Sequence, residues 1–119
     1  MSATSRKRLR PDTVCPYYHR AVELIGRRWT GVVLSALLDG STHFSELRDA
    51  IPDINDRMLS ERLKELESEN IVRREVIAET PVRIEYCLTD KGRALQDVVD
   101  AVSAWAGDWV AKPETPKED

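Results

Sequence analysis

The spacing of the apolar residues changes partway along this chain, and that change limits the folds open to it. Before Asn70 the apolar side chains recur every three or four residues, and just after it they alternate. Leu59, Leu63 and Leu66 make one narrow apolar stripe on a helix running from Asn55 to Glu69. At about 100° per residue, Arg57, Ser60, Glu61 and Lys64 fall on roughly the opposite side. These are side chains of the kinds that reach base edges or phosphates. Asn55 suits the N-cap, and Asp56 places a carboxylate in the first turn, where the helix dipole favours it. Ahead of this helix, Phe44, Leu47 and Ile51 stripe a shorter one that Pro52 and Asp53 end. A short helix, a tight turn and an exposed second helix form a helix-turn-helix pattern. A polar face would equally suit an ordinary solvated helix, so the neighbouring chain has to decide.

Downstream, Ile71 to Ala78 is rich in β-branched residues and contains Arg73 and Arg74. Val82, Ile84, Tyr86 and Leu88 alternate with Arg83, Glu85 and Cys87, the pattern of a half-buried strand, and Glu79, Thr80 and Pro81 form the turn between the two strands. Two strands with an exposed turn, directly after a recognition helix, make a wing. A hairpin that only closes the core would read the same way.

Upstream, Pro16 suits the first position of a helix and makes Cys15 its N-cap; Tyr18, Ala21, Val22 and Ile25 form its apolar face, which stops near Gly26. Trp29, Val32, Val33, Ala36 and Leu37 stripe a second helix, and Gly40 is placed to end it in a left-handed conformation. Ser41 to His43 is expected to form one short strand. Helix, helix, strand, helix, helix, strand, strand is winged-helix order. The fold class is therefore α+β, mostly α: a winged helix-turn-helix with additional N- and C-terminal helices.

Thr89 caps a last helix on which Leu95, Val98, Val102, Trp105 and Trp109 recur in alternating steps of three and four, with Val99 and Ala106 alongside. That is a heptad seam. A domain this small leaves little core for it to cover, so packing against the same helix of a second copy is the expected use.

The chain has 119 residues, enough for one domain with a modest core. Residues 14–110 hold the periodic segments. Residues 1–13 read as a disordered basic arm, and 111–119 as a disordered tail. No apolar run approaches the roughly 18 residues of a membrane span, and the N-terminus lacks the apolar stretch of a signal peptide. Cys15 and Cys87 are far apart without metal-type spacing, which suits a cytoplasmic protein with reduced thiols. The formal net charge of −3 counts mildly against nucleic acid. Its distribution counts the other way, because Arg6, Lys7, Arg8 and Arg10 gather in the arm while Glu114, Glu118 and Asp119 lie in the tail. The arm is either a solubilising terminus or a segment that lies along DNA phosphates or in a minor groove.

Nothing in the sequence points to an enzyme or to a bound cofactor. His19 and His43 have no Ser or Asp arrangement around them, and there is no glycine-rich phosphate loop. Cys15 and His19 lie one helical turn apart, but two ligands fall short of a metal site.

Taken together, these segments resemble the HxlR family of bacterial winged-helix transcription regulators, relatives in fold of the MarR group. The resemblance runs from about Cys15 to Trp109. Its marks are Cys15-Pro16, Gly26 before Trp29, Phe44-Ser45-Glu46-Leu47, Leu59 with Arg62 to Glu67, Pro81 to Tyr86, Leu88-Thr89, Gly92 and Trp105. It implies a homodimer joined through the terminal helices, with Leu95, Val98, Val102, Trp105 and Trp109 in the interface, reading a near-palindromic operator. The expected DNA-binding residues are His43, Asn55, Arg57, Ser60, Glu61, Lys64, Arg73 and Arg83. Two positions depart from the family pattern. His43 stands where arginine is usual, which makes a phosphate contact there weaker or pH-dependent. Asn70 stands where glycine is usual, but asparagine also tolerates a left-handed cap.

Some regulators of this kind use a cysteine at the position of Cys15 to sense oxidants or electrophiles. A thiol at a helix N-terminus feels the positive end of the dipole, which favours the reactive thiolate. A cysteine packed beneath dimer helices would be inert instead. Three functions stay open: a dimeric DNA-binding regulator, a winged-helix module that binds protein without reading DNA, and a regulator whose dimer cleft takes a small aromatic or electrophilic effector. The grouping of Arg57, Lys64, Arg73, Arg74 and Arg83 around helix and wing favours the first over the second.

Overall fold

The computed structural model describes residues 15–111. The basic arm over residues 1–13 and, apart from Ala111, the tail lie outside the described residues. Within them the elements run α1 (Pro16–Ile25), α2 (Thr30–Leu38), α3 (Phe44–Ala50), α4 (Asp56–Ser68), β1 (Val72–Ile77), β2 (Arg83–Leu88), α5 (Asp90–Arg93) and α6 (Gln96–Trp109). The two strands form one antiparallel hairpin, with Val72 opposite Leu88 at its base and Ile77 opposite Arg83 near its tip.

The core lies between α2, α3, α4 and the base of the hairpin. Val33, Leu34 and Leu37 of α2 meet Leu47 of α3, Leu59, Leu63 and Leu66 of α4, and Ile71 and Val72 beyond it. The Leu59, Leu63 and Leu66 stripe is almost wholly removed from water. Helix α4 is therefore fixed by one face only, and its other face stays at the surface.

Helices α2 and α4 end in the same motif. After α2, Gly40 adopts φ 109°, Gly40 N donates to Leu37 O and Ser41 N donates to Ala36 O. After α4, Asn70 adopts φ 62°, Asn70 N donates to Glu67 O and Ile71 N donates to Leu66 O. Both closures satisfy helix-end carbonyls through a left-handed residue. Asparagine holds the turn where glycine is the usual choice.

Several details differ from expectation. Trp29 precedes α2 as its N-cap in a left-handed conformation, with φ 78°, rather than within the helix, and packs half-buried against the same core. The buried face of α2 is Thr30, Val33, Leu34, Ala36 and Leu37, while Val32 is 47% exposed. Ser41 to His43 form no strand, and one bond from Tyr86 N to Thr42 O, 2.8 Å, joins that segment to β2. The last helix is two helices, broken at Ala94 and Leu95. Thr89 caps the first, its Oγ1 accepting from Gly92 N at 3.1 Å. Gly92 is buried, and a Cβ there would overlap the Ile71 carbonyl, so only glycine lets α5 sit this close to the start of β1.

Neither α1 nor α6 contributes a fully buried residue. Along them Tyr17, Tyr18, Val102, Trp105 and Trp109 are each at least 60% exposed.

Candidate nucleic-acid interface

The solvent face of α4 runs along the whole helix. Asn55 Oδ1 accepts from Met58 N at 2.8 Å, so the cap is made as the sequence predicts and that oxygen is engaged in it. Two residues on, the Arg57 side chain is 86% exposed, and Ser60 and Lys64 are exposed on the following turns. Glu61 is only half-exposed. Its Oε2 lies 3.2 Å from Arg57 Nε and its Oε1 3.4 Å from Arg62 Nη2. Hydrogen bonding from Arg57, then the charges of Arg57 and Arg62, hold the Glu61 carboxyl below its ordinary value. Ahead of α4, Arg48 of α3 reaches Asp56 at 3.4 Å across the turn.

On the wing, Arg73, Glu75 and Ile77 share one face with Arg83, Glu85 and Cys87, because residues opposite each other in an antiparallel pair point the same way. Glu75 stands directly opposite Glu85, a repulsive pairing that neighbouring cations offset. Arg73 Nε is 2.7 Å from Glu75, and Arg83 lies 3.3 Å from Glu79 and 3.7 Å from Glu85. The Glu75 contact raises the already high value of Arg73. Arg73 and Arg83 thus each carry a carboxylate partner that a phosphate would have to replace, while Arg74, opposite Tyr86 on the other face, is exposed.

His43 sits half-buried beside the middle of β2. Its Nδ1 is 3.3 Å from Glu46 and its Nε2 is 3.3 Å from Glu85, and its side chain is 29% exposed. The Nε2 contact has the distance of an ion pair but not the direction of a hydrogen bond. Glu46 also accepts from the backbone N–H groups of Thr42 and His43, at 2.9 and 3.1 Å. These donors are the main reason its carboxyl is held low.

The structure therefore brings Arg57, Ser60, Glu61 and Lys64 to one helix face and Arg73 and Arg83 to one wing face, while His43 links α3 to the wing through Glu46 and Glu85. Sequence reasoning missed Arg62, which is 3% exposed. Its position beside the Leu63 and Leu66 stripe was the available signal.

The two cysteines differ in setting. Cys15 is the half-buried N-cap of α1, in extended conformation, and its side chain makes no capping hydrogen bond. Cys87 is half-buried opposite Arg73 on the hairpin, with Sγ 3.8 Å from Glu75 Oε1; burial first, and then the Glu75 charge, push its thiol up. Between α2 and α6 lies an apolar cavity of about 330 Å³, lined by Ile25, Val32, Leu34, Val98 and Val102 among others. No three His, Cys, Asp or Glu side chains come together as a metal site among the described residues, and no described helix is long and apolar enough to cross a membrane.

The family model for HxlR-like helix-turn-helix proteins matches residues 24–114. The HTH-type transcriptional regulator YvaP of Bacillus subtilis (strain 168) is 50% identical over 97 residues, covering 82% of this chain and 90% of that one. The regulator YodB of the same strain is 44% identical over 108 residues, covering 91% and 96%. The solved structure of YodB in its reduced form superimposes with a TM-score of 0.75 at 44% identity, covering 86% of this chain and all of that one (100%). The redox regulator HypR in its reduced form gives 0.72 at 36% identity, covering 77% and 91%. An exposed recognition helix, its wing and these relatives agree: the chain belongs to the HxlR-like helix-turn-helix family and is a transcriptional regulator, not an enzyme.

Proposed function

We propose that this regulator is a homodimer that reads a near-palindromic duplex with α4 and the wing, and that oxidation or alkylation of Cys15 changes its hold on DNA. The observation that carries the DNA reading is the division of α4. Leu59, Leu63 and Leu66 are buried, so Arg57, Ser60 and Lys64 are rigidly presented to the outside. Arg57 suits a guanine edge in the major groove, and Arg83 suits flanking phosphates. Asn55, Glu61, Arg73 and His43 border this face and belong to the same proposed surface. A second copy is called for by α1 and α6, whose tyrosines, valines and tryptophans lie uncovered. Leu95, Val98, Val102, Trp105 and Trp109 are the proposed interface.

Support for sensing comes from the relatives. YodB has been solved reduced, diamide-treated and quinone-bound, and HypR reduced and oxidised. In this chain Cys15 starts a helix that is poorly covered by the protomer itself. A covalent change there can tilt one protomer against the other. Half-sites about 34–36 Å apart are contacted together only at one tilt, and a tenfold loss of affinity needs only about 1.4 kcal/mol.

The test is selection of duplexes from a randomised pool by the wild-type protein, followed by affinity measurements with and without diamide or a benzoquinone. Wild type should enrich a site with twofold symmetry and lose affinity for it after treatment, while Cys15→Ser should bind equally well before and after. Failure to enrich any sequence would remove the DNA reading. Equal responses from both proteins would remove Cys15 as the sensor.

A further inference from the structure

Arg62 lies in the middle of the recognition helix, yet its side chain is only 4% exposed. A guanidinium kept this dry is costly unless it is paired, and its Nε has no hydrogen-bond partner among the described residues. Its two terminal nitrogens go in opposite directions along α4. Nη2 lies 3.4 Å from Glu61 Oε1, and Nη1 lies 3.5 Å from Glu65 Oε1. Each carboxylate then uses its other oxygen for a second arginine. Glu61 Oε2 meets Arg57 Nε at 3.2 Å, and Glu65 Oε2 meets Arg27 Nη2 at 3.4 Å.

The result is an unbroken series of alternating charges: Arg27, Glu65, Arg62, Glu61, Arg57. It begins in the link between α1 and α2 and ends at the residue best placed to read a base. The outer pairs are exposed and would contribute little in isolation. The central arginine changes that, because its removal from water makes the two carboxylates respond to each other through it.

We infer that Arg62 is a positioning residue that couples the α1–α2 link to the reading side chain Arg57, so that the protomer's dimer side sets how firmly Glu61 holds Arg57 back from DNA. This rests on the proposed reading role of α4. Glu61 competes with the base edge for the Arg57 guanidinium, and loss of Arg27 loosens Glu65, shifts Arg62 towards Glu65 and weakens its grip on Glu61. A signal from α1 thereby reaches specificity without any movement of the helix.

A double-mutant cycle on the duplex selected by the wild-type protein tests this. Arg27→Ala, Arg57→Ala and the double variant are compared for affinity to that duplex and to a scrambled one, each at one salt concentration. The losses should depart from additivity by about threefold on the selected duplex, with no departure on the scrambled one. The departure should vanish when the cycle is repeated in an Arg62→Met background, or in Glu65→Gln should the buried substitution unfold the protein. Arg62→Lys should keep part of it. Additive losses in the wild-type background, with all variants folded, overturn the inference while leaving DNA reading intact; persistence of the coupling without Arg62 or Glu65 also overturns it. If the wild-type protein selects no sequence, the reading role fails and the inference falls with it.

Discussion

Replacing Trp105 by alanine should dissociate the dimer while leaving each protomer folded. Trp105 is 60% exposed in the single chain. A tryptophan buries roughly 150–250 Å² when covered, so closing this surface against a second copy removes on the order of 100 Å² per protomer. At about 25 cal/mol per Å² this amounts to roughly 2.5 kcal/mol, of which the alanine retains a small part. Twofold symmetry counts the loss twice, giving about 4 kcal/mol for the dimer and a dissociation constant roughly a thousandfold higher. Because α6 supplies no buried residue to the core, helix content of the isolated protomer should stay near that of the wild type. Sedimentation velocity on labelled protein from nanomolar to micromolar concentration, with circular dichroism on the same samples, measures both quantities. A dissociation constant within about threefold of wild type would refute the interface, and a collapse of helix content would refute the independence of the core.

Three further expectations concern single side chains. Gly92→Ala places a methyl group on the Ile71 carbonyl, and should cost about 1–3 kcal/mol by overpacking, visible as a lower midpoint in urea at unchanged slope. Glu46 is held below its ordinary 4.5 by the N–H groups of Thr42 and His43; a carboxyl lowered in the folded state contributes stability that is full above its unfolded value and lost as pH falls through the folded one. Glu46→Gln should therefore melt earlier than wild type at pH 7, and the gap should close under acid; a gap independent of pH would contradict this. Cys87, pushed up by burial and Glu75, should alkylate more slowly than a small free thiol at pH 8, and Glu75→Gln should speed it.

Much of this architecture is legible in the sequence because amphipathic elements reveal their faces. The Leu59, Leu63 and Leu66 stripe and the Asn55 cap are found in place. The alternation from Val82 to Leu88 does yield a strand, but burial does not alternate along Arg83–Leu88, and Val82 lies before it, 63% exposed. Helix α2 is apolar nearly all round, so its spacing could not choose between Val32 and Leu34. Core contact selects Leu34 and leaves Val32 beside α6. Nor does local sequence reveal that the chain turns at Ala94, because neither proline nor a helix-ending glycine marks it; what presses α5 onto β1 is the long-range fit of Gly92 to Ile71. Helical angles place Arg57 and Lys64 at the surface but say nothing of pairing. Arg62 and His43 lie hidden by contacts with Glu65, Glu61 and Glu85 that depend on packing between elements and on rotamers.

The central claim is that Arg57 on the exposed face of α4 reads sequence. The most direct test is the ratio of affinities for the selected and the scrambled duplex, measured by fluorescence anisotropy at one salt concentration for wild type and Arg57→Ala. A bidentate guanine contact contributes about 1–3 kcal/mol of discrimination, so the ratio should fall by roughly five- to 150-fold, with affinity for the scrambled duplex changing much less. Equal losses on both duplexes, leaving the ratio at its wild-type value, would show that Arg57 serves only as a charge and that the reading face lies elsewhere.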